Sequence, residues 1–537
     1  MRRHGSNTTG RFLLLLLAGA LVGVFLAGTA LAALPQAAPL NPDFLRYQQQ
    51  EKVLGKTAAA ALRGGEIPAP VDLSHLNRVS YTGLKGKAAP AAYDLRSTGR
   101  VTSVKNQNPY GTCWAYAALG SLESGLMPGE NLDLSEWHLA YYTYVGDHAF
   151  TTDAPAFGED PIFDQGGNAY KAVAMLAGWV GPVAESACPY GKPDPSGPYT
   201  NYPDVKHLTD AFVLGNQPTS ETIKALIQQY GGLHVSYYDE SNNAAYYNAA
   251  NAAYYYNGAS ASNHAVLVVG WNDAYPAGNF STNPGGDGAW LIKNSWGTAW
   301  GDQGYFWISY HDTSFGNGTF YRSESTANFS RLYQYDPLGW VGARGYGNTT
   351  AWMANVFTAQ GNDAISAVGF YTTDANVTYE ISVYADAASG PTSGTRVAGP
   401  QTGTQSYAGF HTVRLNTPVN VTAGQKFSVV VKLVNSSYTF PVPCEYAEAG
   451  YSDKARANAG ESYMSSDGTT WADLTAAVAT GNVCLKAYAA GSWTPTGAVT
   501  ATPTRAPSGG GGGGCSGLGF APLAVLILLP LLALKRR

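Results

Sequence analysis

The sequence predicts an α+β domain of two segregated halves, helices first and strands after, followed by an all-β sandwich. Three observations predict it. Helix-like patterns come first, at 113–127, 135–144 and 168–180. Apolar strand-like runs follow at 265–271, 289–293 and 304–310. Beyond residue 325 helical periods vanish, and alternating stretches (367–371, 379–384, 426–431) recur between Gly, Asn and Thr turns.

The chain has 537 residues, too many for one core, so several domains are expected. Only 13% of residues are charged and 36 are tyrosine, a globular rather than a disordered composition. Six of the 32 basic residues (Arg2, Arg3, Arg11, Lys535, Arg536 and Arg537) sit in the two terminal segments, which leaves 26 against 37 acidic ones. No basic stripe remains to hold phosphate, so nucleic acid is not an expected partner. Nothing in the sequence asks for a metal or a cofactor.

Residues 1–32 read as a secretory signal. Arg2, Arg3 and Arg11 give a positive start, Phe12 to Leu26 an apolar run, and Ala30-Leu31-Ala32 a small-x-small exit. Residues 33–88 read as a leader or propeptide. Pro42 opens a predicted helix running through Gln48 and Leu54 to Leu62, and Pro68-Ala69-Pro70 forces an extended path. Residues 89–312 hold every catalytic candidate, 325–490 the sandwich, and 491–514 a Thr/Pro/Gly linker. Residues 515–537 form a short apolar segment ending in three cations. The order of six glycines (509–514), Cys515, an apolar run and a basic end resembles bacterial C-terminal sorting signals of the GlyGly and synergist types. That resemblance implies a sorting protease as partner, attachment through Cys515, and a cell-surface or extracellular location, membrane-associated through this segment until processing.

Cysteine is sparse for an exported chain, so no disulfide scaffold is expected. Cys444 and Cys484 share the sandwich, and their pairing is left open. Cys188 reads as a buried free thiol. Asn328, Asn376 and Asn420 begin Asn-x-Ser/Thr triplets and read as turn residues rather than glycan sites.

Three stretches carry the chemistry: Gln107-Asn108-Pro109-Tyr110-Gly111-Thr112-Cys113-Trp114, Asn263-His264-Ala265-Val266 and Lys293-Asn294-Ser295-Trp296-Gly297. Cys113 opens a helix-forming run, where unpaired N–H groups and the positive dipole end favour a thiolate. The Gln107 amide and the Cys113 N–H are placed to form an oxyanion hole, worth about 2.7–4 kcal/mol per donor. His264 begins an apolar strand and Asn294 ends another, so the asparagine oxygen can fix the imidazole tautomer. Trp296 can shield that bond from water, which strengthens it.

Taken together, these motifs resemble the papain family of cysteine peptidases, from Tyr93-Asp94-Leu95-Arg96 to Trp300-Gly301, across roughly 220 residues. The resemblance implies a papain-like two-subdomain fold, a helical half plus a β-barrel half. It makes Cys113 the nucleophile, His264 the acid/base, Asn294 its orienter and Gln107 the oxyanion donor. Leu134-Ser135-Glu136 matches a helix start usual in the family. The family's usual cysteine three residues before the nucleophile is Tyr110 here, and its partner segment is Asp164-Gln165-Gly166-Gly167. Both ends of that disulfide are replaced, so the cleft wall is expected to rest on packing. Gly166 and Gly167 survive and are implied to run along the substrate backbone. The sandwich resembles the lectin-like domain that follows bacterial papain-like peptidases, which makes a surface glycan a possible partner.

The expected function is therefore an exported, surface-associated cysteine endopeptidase acting on protein or peptide through a Cys-His-Asn thiolate and an acyl-enzyme. The alternative is a catalytically silent surface adhesin or carbohydrate-binding protein on a peptidase scaffold. Side-chain preference is not readable from the sequence.

Overall fold

The computed structural model describes residues 34–54, 65–77, 79, 81, 89–151, 162–191 and 193–492. The expected signal segment, the C-terminal segment and nearly all of the linker lie outside these residues. Among the described residues no helix is long and apolar enough to cross a membrane.

The helical half is built around Cys113–Leu126, a helix whose first twelve residues are all buried. A helix apolar all round belongs in a core. It packs against the strands His264–Asn272, Gly316–Glu324 and Leu233–Tyr237. Glu136–Tyr142 is capped by Ser135, whose hydroxyl accepts from the His138 N–H. Asn168 caps Ala169–Ala177 in the same way through the Lys171 N–H. Ser and Asn suit these positions because their short side chains satisfy first-turn donors.

The strands of the second half fall where the apolar runs predicted, at His264–Asn272, Ala289–Lys293 and Tyr305–Ser309, and pair antiparallel in sequence order. The strand Gly316–Glu324 joins them, pairing with Leu233–Tyr237 and with His207–Val213. The sandwich has one six-stranded sheet containing Thr350–Thr358, Val377–Ala385 and Lys426–Val434. Its opposing strands, Asp363–Thr372 and Ala408–Val421 among them, do not form a separate sheet. Ala408–His411 pairs with Asp210–Val213 of the first domain. A single thirteen-stranded sheet thus runs through both halves.

Cys444 and Cys484 are both free thiols. Each contacts a backbone carbonyl, Cys484 Sγ that of Gly339 at 3.2 Å and Cys444 Sγ that of Val442 at 3.6 Å. Cys188 is also free and buried. Asn376 sits in a turn at φ +56° and Asn328 in a short 3-10 turn, but Asn420 lies within the strand Ala408–Val421.

The leader is clasped by the sandwich as much as by the first domain. Gln36–Ala37 adds a strand to Gly342–Gly345. The helix runs Pro42–Leu54, and its fully buried Phe44 meets Tyr451 edge-on at 5.7 Å. His75 stacks on Tyr438 at 3.8 Å and bonds the Thr373 carbonyl at 2.8 Å.

Candidate active site

The three motif stretches converge. The Ala265 N–H points at Cys113 Sγ across 3.4 Å, so the thiol lies beside the residue that follows His264. His264 Nε2 meets Asn294 Oδ1 at 2.9 Å. The Ser295 N–H donates to the same Oδ1 at 2.8 Å. A backbone donor identifies that atom as the amide oxygen, so Nε2 carries the ring proton and Nδ1 is the basic nitrogen. Trp296 lies over the imidazole at 4.7 Å and 29°, and Trp300 buttresses Trp296 edge-on at 4.8 Å. The ring is sealed from water on that face.

Gln107 is buried, and its amide is oriented by Ser295. The Ser295 hydroxyl donates to Gln107 Oε1 at 2.7 Å, and Gln107 Nε2 donates to the Tyr110 carbonyl at 2.8 Å. Ser295 thus orients both candidate amides, one through its N–H and one through its hydroxyl. It stood inside a quoted motif, but its role depends on a contact 188 residues away.

Gly166 and Gly167 line the cleft opposite. A Cβ on Gly167 would lie 2.3 Å from the Trp114 ring, so only glycine fits there. Gly166 has φ +71°, and its carbonyl accepts from the Tyr144 hydroxyl at 2.5 Å. Where the family's disulfide would stand, the Gly111 N–H donates to Asp164 Oδ1 at 2.8 Å. Tyr110 packs against the stacked pair Trp137 and Phe163, at 5.2 and 5.3 Å. The wall therefore rests on packing together with hydrogen bonding that includes the charge-assisted bond to Asp164. The aspartate in place of cysteine was the available signal for that bond.

Residues 65–67, within the stretch expected to be a leader, occupy this cleft. The Gly167 N–H donates to the Gly65 carbonyl and the Gly167 carbonyl accepts from the Ile67 N–H, both at 2.9 Å. The Glu66 N–H donates to the Asn263 carbonyl at 3.2 Å. Glu66 itself bridges Gly167 in parallel sense. Cys113 is consequently fully buried. Burial pushes its thiol pKa well up, and the nearby Glu66 carboxyl adds to the rise, while the Ala265 and Trp114 N–H groups oppose it. The thiolate expected at a helix start is thus disfavoured while the leader is in place, because desolvation exceeds the N–H stabilisation.

Beside the site lies an ion cluster with two buried carboxylates, Glu123 and Glu136, and an exposed one, Asp133. Lys105 Nζ reaches Glu123 at 3.2 Å, Asp133 at 2.7 Å and Glu136 at 2.8 Å. Glu123 also accepts from the Thr102 hydroxyl at 2.6 Å and the Leu134 N–H at 2.9 Å.

Residues 89–322 match the family described as papain family cysteine protease, and residues 332–489 match the lectin like domain. Residues 89–322 thus have the papain-like fold of helices and sheets, and residues 332–489 follow as an all-β lectin-like domain. One solved structure holds both: the cysteine protease and lectin-like domains of Cwp84, a surface layer associated protein of Clostridium difficile. It superposes with TM-score 0.70 at 27% identity, covering 85% of this chain and 98% of that one. A cysteine protease of Blomia tropicalis is 30% identical over 238 residues, 43% of this chain and 64% of that protein. A viral cathepsin of Choristoneura fumiferana nuclear polyhedrosis virus is 31% identical over 226 residues, 40% of this chain and 58% of that protein. The chain thus spans about three-fifths of these two relatives.

Proposed function

We propose that the protein is an exported cysteine endopeptidase in which Cys113, His264, Asn294 and Gln107 act together. The observation that carries this reading is the convergence on Cys113 and His264. The Ala265 N–H reaches the thiol at 3.4 Å, and the neighbouring ring is fixed by Asn294 at 2.9 Å. With the leader gone, the Cys113 proton passes to His264 Nδ1 and the thiolate attacks a peptide carbonyl. The Cys113 N–H and the Gln107 amide receive the oxyanion. His264 then protonates the leaving amine, and water, deprotonated by His264, releases the acyl group. Residues 65–67 act as the inhibitor of this centre until they are removed.

The finer localisation rests on the terminal compositions. The apolar start supports export, and the glycine tract with Cys515 supports a sorting protease and surface retention. The likeness to a surface layer associated protein points the same way. The lectin-like match supports a surface glycan as second partner, which a glycan array checks.

The test is cleavage of an unstructured protein such as casein by leader-free enzyme. Cys113→Ala abolishes turnover, and iodoacetamide alkylates Cys113 of the parent far faster than Cys188. A Cys113→Ala variant that cleaves at the parental rate overturns the reading.

A further inference from the structure

Glu66 is the one leader residue placed opposite Gly167, and its side chain is buried at 4% exposure. The Ser236 hydroxyl donates to its Oε1. Its Oε2 and the Thr319 hydroxyl are both buried and have no hydrogen-bond partner among the described residues. All three residues border one cavity of about 40 Å3. Ser236 stands opposite Ala265 in the strand pairing, and Thr319 opposite His234, so both are fixed by the sheet beside His264.

The cavity is polar without being cationic. Among the described residues no Lys or Arg lines it, and its charged groups are Asp43 and Glu66 themselves. Behind it His234 bonds the Tyr321 hydroxyl at 3.1 Å and is held neutral by burial. An ionised carboxylate has no counter-charge here, and burial pushes Glu66 up to about 8 against the pull of Ser236.

We propose that Ser236 and Thr319 form a selectivity subsite for a neutral hydrogen-bonding side chain, glutamine first and protonated glutamate second. A glutamine in the place of Glu66 accepts from Ser236 through its carbonyl, and a small turn of its amide within the cavity brings the NH2 to the Thr319 hydroxyl, which Glu66 Oε2 does not bond as it stands. It leaves neither buried oxygen unpaired and carries no charge. An aliphatic side chain of similar length strands both hydroxyls. As a statement about substrates, this rests on the peptidase reading above; as a statement about the pocket, it does not.

Two measurements separate the two claims. In the full chain at pH 7, alkylation of Cys113, read by peptide mass, reports leader docking without any catalysis. Glu66→Gln slows it by roughly a hundredfold or more, because the docked amide needs no proton, and Glu66→Leu is alkylated about tenfold faster than Glu66→Gln. Equal protection by leucine and glutamine overturns the subsite. Leader-free enzyme is then given a peptide library. Glutamine is enriched over leucine at one fixed position on the acyl side of the cut. Ser236→Ala combined with Thr319→Val lowers the ratio of kcat/KM for the glutamine peptide to that for the leucine peptide about tenfold. Cleavage with leucine preferred at that position overturns the subsite alone. No cleavage by the parent overturns the peptidase reading, and the alkylation series then decides the pocket by itself.

Discussion

The Tyr451 hydroxyl, carried by the lectin-like domain, donates to Asn168 Oδ1 of the peptidase domain at 3.1 Å. Asn168 caps the helix that follows Gly167 and donates from Nδ2 to the leader carbonyl of Ile67, also at 3.1 Å. The Lys171 ammonium, one turn on, bonds the Tyr451 carbonyl at 3.1 Å and lies over the rings of Phe150 and Tyr451 at 4.3 and 4.4 Å. One loop of the second domain therefore braces the cleft wall of the first.

Tyr451→Phe keeps the rings and removes only that hydroxyl. The expected loss is about 1 kcal/mol of stability, since Asn168 keeps its other partners. A denaturant midpoint equal to the parent's would show that the bond contributes nothing.

Lys105→Met takes away the cation that bonds Glu123 and Glu136 directly and leaves Lys293, which reaches Glu123 only through the Thr102 hydroxyl, as the remaining cation beside these nearly buried carboxyls. Breaking a buried pair from one side costs about 3–5 kcal/mol. Thermal unfolding checks this, and a Tm within a degree or two of the parent's would mean that the carboxyls simply take up protons.

Gly167→Ala drives a methyl into Trp114, 2.3 Å from the nearest ring atom. Overpacking of this kind costs about 1–3 kcal/mol. Because the shift falls on the cleft wall, leader protection of Cys113 and cleavage by leader-free enzyme should both suffer. Retention of both with only a stability loss would place the strain elsewhere.

Glu66 gives leader docking a pH dependence whose sign follows from its raised pKa. The carboxyl is protonated up to about 8 when docked, against 4.5 when free. Docking is then strongest below pH 4.5 and weakens by about 1.4 kcal/mol per pH unit up to about pH 8. The neighbouring groups do not reverse this. Cys113 and Tyr321 stay protonated and His234 stays neutral over that range, while Asp43 and Asp239 are the nearby acids. The ratio of Cys113 alkylation in the parent to that in Glu66→Gln should rise with pH across this window. A flat ratio would remove Glu66 from the docking equilibrium.

Asn294→Ala removes the acceptor that fixes the His264 tautomer but leaves thiol and ring in place. The expected fall in kcat/KM is about tenfold to a hundredfold, smaller than the roughly 10²- to 10⁴-fold lost with the acid/base itself. A variant as slow as His264→Ala would give Asn294 a larger share than orientation alone.

Much of this site is legible in the sequence because its parts are local. Cys113 opens the helix after a Pro/Gly loop, His264 starts the strand His264–Asn272, and Asn294 directly follows Ala289–Lys293. What is not legible depends on chain segments far apart. Nothing near Gly65-Glu66-Ile67 announces that it returns to Gly167. The strand Gly316–Glu324 is short on alternation, with Gly316, Asn317 and Gly318 at its start, and only its partners make it a strand. Cys444 and Cys484 sit near each other through their strand pairing, yet each thiol turns to a carbonyl, which no spacing rule foretells.

The pairing of Ala408–His411 with Asp210–Val213 gives the molecule no natural seam. Separating the halves in the stretch after Glu324 would bare a sheet margin on each piece, and bare margins recruit other chains. The peptidase and its companion are therefore expected to melt in one cooperative step, and each half expressed alone to be insoluble rather than merely less active.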